Sequence, residues 1–189
     1  NANDTIKLNN LTRDLNKDVP AMRRLVAENA ITLLANGDSF FFNLKQNFTT
    51  KRTAYVALGI NNDNALTRRL KRDYKCDVYY FDYTKKDSAT NLQTINQLAN
   101  NYDKIIFGIH QINRAPANNF NISADALALI DTVQKNTSSL ILLFGNAYAA
   151  KNWCNAKNLI VCYEDDSIVQ NTALDFLEWK LNFKGTLPV

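Results

Sequence analysis

The sequence predicts an α/β domain, a three-layer α/β/α sandwich built on a five- to six-stranded, mostly parallel sheet. Three observations carry this. Five short runs rich in β-branched and aromatic residues recur along the chain, the composition that suits strands. Amphipathic stretches of helical length separate them, which is the alternation of a parallel sheet with crossover helices. Several of the runs are apolar on both faces, as strands covered on each side must be.

In chain order, residues 1–17 are polar and Asn-rich and read as a linker or approach segment, with 18–189 as the folded domain. Asp18 ahead of Pro20 marks the start of a first helix expected to reach about Asn36, where Asn36-Gly37 supplies a stop. "DSFFFNLK" (38–45) reads as a short strand or extended connection. Strands follow at 53–60 ("TAYVALGI"), 77–83 ("DVYYFDY"), 104–110 ("KIIFGIH"), 139–145 ("SLILLFG") and 158–163 ("NLIVCY"). Helices are expected at 64–74, 88–101, 124–136 and 166–179, with a short one at 147–152. Ser123, with Asp125 in the first turn, and Asp166 are the N-terminal signals for two of them. The longest expected loop is 111–122, "QINRAPANNFNI". Such an order is flavodoxin-like.

A length of 189 residues favours one domain, able to bury roughly two-thirds of the surface its unfolded chain exposes. No apolar run approaches the roughly 20 residues of a membrane helix, so no membrane span is expected. The net charge of +4 comes from 22 basic and 18 acidic residues. Its one cluster, "TRRLKRDYK" (67–75), reads as a solvated helix face; it has no aromatic platform and no reader motif, so no nucleic-acid partner is expected. Cys76, Cys154 and Cys162 read as buried free thiols, with a Cys154–Cys162 disulfide left open for an exported protein. Zinc is not expected with one histidine. The four glycosylation-type sequons, at Asn10, Asn47, Asn121 and Asn136, are what an Asn-rich chain produces by chance.

Ligands of doubly wound sheets bind at the carboxyl ends of the strands. Two groups of polar residues fall there: His110, Gln111, Asn113 and Arg114, then Glu164, Asp165 and Asp166. His110 suits a donor, a general base or a salt-bridged positioning group, and equally a half-buried histidine bonded to backbone. Arg114 suits a clamp on a carboxylate or sugar hydroxyl, or a pin for its own loop. The acidic triplet reads first as helix capping, and as an acid/base pair only if a second group faces it. The five glycines stand isolated at 37, 59, 108, 145 and 185, so no dinucleotide or nucleoside-triphosphate motif is present and no cofactor is expected. No G-x-S-x-G elbow occurs either.

"LVAENAITLLANGD", with Glu28, Leu33 or Leu34 and Asn36, resembles an E-x-x-x-L-L-x-N helix, and "AYVALG" a following strand. "ALALIDTVQKNTSSLILLFGNAYAAKNW" resembles a helix, strand and small-residue turn in which Gly145-Asn146-Ala147 stands for Gly-x-Pro. "TALDFLEWKLNFKGTLPV" resembles a closing helix and exit segment through Gly185, Leu187, Pro188 and Val189, with Glu178-Trp179 in place of Phe-Gly. Together, from about residue 18 to the end, these resemble the C-terminal α/β sandwich domain of glycoside hydrolase family 3. "VCYEDDSIVQ" is similar to a bacterial subset of its β-N-acetylhexosaminidase-like branch.

The resemblance implies an accessory domain of a bacterial glycosidase acting on terminal β-N-acetylglucosamine or β-glucosidic linkages. The catalytic nucleophile would belong to a preceding (β/α)₈ barrel of the same parent protein, the expected partner. The β-glucosidase branch carries its acid/base glutamate in the loop corresponding to 111–122, which here has no Asp or Glu. No catalytic residue is therefore expected in this chain. His110, Asn113, Arg114 and Glu164 are the residues expected at a carbohydrate or interdomain contact. The start at Asn1 and the close in "NFKGTLPV" read as a segment of a longer chain, in which Gly185 permits a turn. A periplasmic or secreted location is expected, any membrane anchor lying in parts outside this chain. The alternative is a stand-alone flavodoxin-like domain that binds a small ligand or serves structure alone.

Overall fold

The computed structural model describes residues 11–37, 52–83, 93, 97–98 and 100–187. Six strands form one sheet: β1 (Thr32–Asn36), β2 (Thr53–Leu58), β3 (Asp77–Phe81), β4 (Lys104–Ile109), β5 (Ser138–Leu143) and β6 (Asn158–Val161). Their spatial order is β1-β6-β5-β4-β2-β3. The β3-β2-β4-β5-β6 portion is parallel throughout, which is the flavodoxin-like order, and its switch point lies between β2 and β4. The five expected strands are all present, each ending one or two residues earlier than expected, and β5 beginning one residue earlier, at Ser138.

Two apolar layers sandwich the sheet because successive strand residues face opposite sides. Tyr55, Ala57, Ile106, Leu140, Leu142 and Ile160 point to one side. There they meet α2 (Val19–Ala30), which follows a short α1 (Leu11–Leu15), then α3 (Ala65–Tyr74) and α5 (Ser167–Leu177). Val56, Leu58, Ile105, Phe107, Ile141 and Leu143 point to the other. They pack on α4 (Ala124–Asn136), on Leu98 and on the 3₁₀ segments Ala117–Asn121 and Ala147–Trp153. Residues 93, 97–98 and 100–101 are helical; the rest of the helix expected at 88–101 lies outside the described residues, as does the stretch 38–45.

The caps explain most helix starts. Ser123 Oγ accepts the Ala126 N–H, and Asp166 accepts from Ile168 and Val169. Asn64 and Thr67 satisfy each other's backbone N–H in a capping box at α3. Asp18 makes no side-chain cap; only its carbonyl takes the Met22 N–H.

Four expectations are corrected. The first helix stops at Ala30 rather than Asn36, and Thr32–Asn36 forms an antiparallel edge strand on β6, with a bulge between Leu33 and Ala35. The β-branched pair Ile31-Thr32 favours extended backbone, and pairing satisfies the open edge of β6. Arg69 does not lie on a solvated face: it reaches Asp175 and Glu178, each at 2.9 Å. Cys76 and Cys162 are buried, but Cys154 is exposed, and all three thiols are free. Gly185 has no left-handed φ. A Cβ there would sit 2.3 Å from the Ala30 carbonyl oxygen, so close approach, not a turn, requires the glycine.

Candidate functional site

The carboxyl ends of β2, β4, β5 and β6 converge around His110. Its side chain is wholly buried and stacks on Phe144 with centroids 4.6 Å apart. Nδ1 lies 2.8 Å from Asp165 Oδ1 and Nε2 lies 2.8 Å from the Tyr55 hydroxyl. Because a carboxylate can only accept, Nδ1 carries the proton toward Asp165 and Nε2 accepts from Tyr55. Asn64 Nδ2, 3.4 Å from Nε2, adds a donor on the same side. Gly108 leaves the space for this pair: a Cβ there would fall 1.7 Å from the Tyr55 hydroxyl.

Asp165 gathers the surrounding loops. It accepts the Gln111 N–H at 2.8 Å and the Gln170 amide at 2.8 Å. Gln170 in turn takes the Ala65 N–H at 3.0 Å. One carboxylate thus ties the β4 loop, the turn before α5 and the start of α3. Burial alone would raise its pKa; hydrogen bonds from His110, Gln111 and Gln170 hold it below the usual carboxylate value. Burial first, and the Asp165 charge second, push the Tyr55 phenol well above its ordinary range. Burial likewise raises Cys76 to about 12. At the rim, Tyr80 and then Lys71 hydrogen-bond the Asp63 carboxyl and lower its pKa to about 2.

The expected contact residues divide between interior and surface. His110 is inside, both ring nitrogens engaged, bonded to side chains rather than to backbone. Asn113 and Arg114 are exposed, with the Asn113 N–H on the Phe120 carbonyl and the Arg114 carbonyl accepting from Asn146 at 2.7 Å. Glu164 is exposed, 3.8 Å from Arg23. Asp166 caps α5, so the acidic triplet splits into three separate duties. Asp165 stood among the strand-end candidates as part of the triplet, but its tie to His110 was not readable because the two lie 55 positions apart.

The loop after β4 is pinned along its length. Residues 118–121 are all left-handed, with φ between 49° and 64°, and three of the four are asparagine, the residue besides glycine that best tolerates this region. Phe120 is buried. Ile112 packs on Gly145, whose Cβ would fall 2.6 Å away. Elsewhere, a groove of about 410 Å³ runs between α2 and the turn from β6 to α5, floored by Ala27, Ala30, Cys162 and Val169. Among the described residues, no group of His, Cys, Asp and Glu side chains is placed to hold a metal ion, and no helix is long and apolar enough to cross a membrane.

No protein-family model and no curated protein matches the sequence. Solved structures do match the fold. The beta-glucoside phosphorylase BglX aligns over 100% of this chain and 34% of its own, with TM-score 0.69 and 16% identity. A glycoside hydrolase family 3 β-N-acetylglucosaminidase from Paenibacillus sp. str. FPU-7 aligns over 100% of this chain and 34% of its own, with TM-score 0.65 and 14% identity. A fungal multi-domain GH3 β-N-acetylglucosaminidase aligns over 93% of this chain and 20% of its own, with TM-score 0.66 and 14% identity. The chain therefore spans about a third or less of the proteins whose fold it shares.

Proposed function

We propose that this chain is the accessory α/β sandwich domain of a family 3 glycoside hydrolase acting on terminal β-N-acetylglucosamine, with β-glucosidic linkages as the second choice. The nucleophile belongs to a (β/α)₈ barrel of the same parent protein, outside this chain. The observation that carries the reading is one of proportion: the whole chain matches only about a third of two larger proteins, one of them a family 3 β-N-acetylglucosaminidase.

Two features of the chain support it. The loop after β4 has no carboxyl group, and Asp165 and His110 are consumed in holding loops together, leaving no free acid–base pair among the described residues at the strand ends. Retaining hydrolysis needs such a pair or its substitute. The outward face of α2 also leaves Met22, Leu25 and Val26 at 64%, 60% and 66% exposure. That is the surface a partner domain would cover.

The test compares residues 1–189 with the parent polypeptide on aryl β-N-acetylglucosaminide and aryl β-glucoside. Turnover by the parent and none by the isolated chain is expected. Turnover by the isolated chain, or a parent reading frame without a barrel, overturns the proposal; preference for the glucoside moves it to the other branch.

A further inference from the structure

The sheet has a second polar end. At the amino ends of β5 and β6, opposite the end that holds His110, the last turns of α4 and the approaches to the two strands line a depression of about 540 Å³. That volume is within the roughly 300–1,000 Å³ of small-ligand sites, but the wall is polar where such walls are usually apolar. Two periodicities bring the polar groups to it. Residues 137 and 139 stand on the same side of the extended chain as Ile141 and Leu143, which pack on α4; they are Thr137 and Ser139, both buried. One helical turn beyond the buried Ile130, the inward stripe of α4 likewise passes to Gln134. All three residues line the depression, as do Lys135 from α4 and Lys157 just before β6.

Two features of this wall are unusual for a surface that meets only water. Thr137 is 8% exposed, and its hydroxyl meets no hydrogen-bond partner among the described residues, so it is desolvated without compensation. Lys135 and Lys157 come from different elements and are exposed, and neither has an ion-pair partner among the described residues. We infer that the depression binds a small polyhydroxylated carboxylate, a sugar acid in chemical class. The two lysines would hold the carboxylate. The Thr137 and Ser139 hydroxyls and the Gln134 amide, which both donate and accept, would meet the ligand's hydroxyl groups. Charge sets the valence: Asp131 also lines the depression, and the carbonyl end of α4 adds about half a negative charge. Two ammonium groups against these leave room for one negative charge and disfavour a doubly charged phosphate. Among the described residues no aromatic side chain lines the depression, so a ligand that binds by stacking has no platform there. The site lies away from the strand-end residues and does not depend on the glycosidase reading.

The test is an amide NMR titration of the 189-residue chain with glucuronate, with glucose as its neutral counterpart, and with inorganic phosphate. Saturable shifts at Asn136, Ser138 and Asn155 are expected with glucuronate, and glucose and phosphate should bind at least about tenfold more weakly. Lys135→Gln combined with Lys157→Gln should weaken glucuronate binding by more than about tenfold, and an unchanged spectral dispersion shows that the variant folds. Thr137→Val keeps the shape and removes the hydroxyl. Binding should fall about threefold while the urea midpoint of the free chain holds or rises, since the hydroxyl has no partner to lose. Absence of saturable shifts with glucuronate, shifts confined to residues 110–114, binding of glucose or phosphate as tight as that of glucuronate, or full binding by the double lysine variant overturns the inference. So does a lowered midpoint in Thr137→Val, because the hydroxyl would then have a partner within the fold. None of these readouts involves turnover by the parent polypeptide, so this site and the domain's role can fail independently.

Discussion

Two helices in the same layer treat their apolar residues in opposite ways. α5 buries eight of its 11 residues, and Asp166 caps its first turn. α2, 12 residues long, buries only Ala27 and has no side-chain cap. Of α2 only Ala27 joins the apolar cluster of α5, and the two helices are otherwise tied by charges, Arg24 to Asp175 at 2.7 Å and Arg23 to Asp166. α5 lies over the middle of the sheet, while α2 feeds the edge strand β1. The contrast teaches that apolar content does not mark the core by itself: Met22, Leu25 and Val26 are as hydrophobic as the α5 interior, yet they face outward.

The sharpest way to break the comparison is inside α5. Leu174→Ala removes a fully buried side chain and should cost about 2–5 kcal/mol in a urea unfolding midpoint. Asp175→Ala comes next, at about 1–3 kcal/mol, because Arg69 and Arg24 lose a shared carboxylate. Burial alone would raise the pKa of Asp175; hydrogen bonds and charge from Arg69 and Arg24 hold it below the ordinary value. Its contribution is therefore complete above the unfolded carboxyl pKa of about 3.9 and is lost as the pH falls toward the lower folded value. Asp175→Asn should flatten that acid limb, and an unchanged limb would contradict the assignment.

Smaller effects probe the helix starts. Asp166→Ala should cost about 1 kcal/mol through loss of the cap, whereas Asp18→Ala, at a position where no cap bond exists, should change stability by under about 0.5 kcal/mol. The smallest effect is expected on the outer face of α2. Leu25→Ser and Met22→Ser should stay within about 0.5 kcal/mol, and a larger loss in the isolated chain would show that this face belongs to its own core.

Strands β2 to β6 were legible because each is a short apolar run between polar or glycine punctuation. The edge strand was not. Leu33 and Leu34 continue the helical period of the preceding residues, and Asn36-Gly37 imitates a helix stop; only β6, more than a hundred residues on, supplies the pairing that overrides it. The strand-end location of His110, Asn113 and Arg114 was readable from topology. Their separation into interior and surface was not, because Tyr55 and Asp165 each stand 55 positions from His110. Arg69 was misread for the same reason: its local neighbours are polar, but its partners come from α5.

Gly108 carries a consequence for how this sequence can change over time. Any side chain at 108 collides with the Tyr55 hydroxyl and approaches His110 Nε2, where a Cβ would lie at 2.7 Å. Drift at 108 is thus permitted only after 55 has lost its phenol, and loss of the phenol removes the donor to the histidine. The three positions should behave as one inherited unit: among relatives, a larger residue at 108 should accompany a smaller one at 55 and a residue other than histidine at 110.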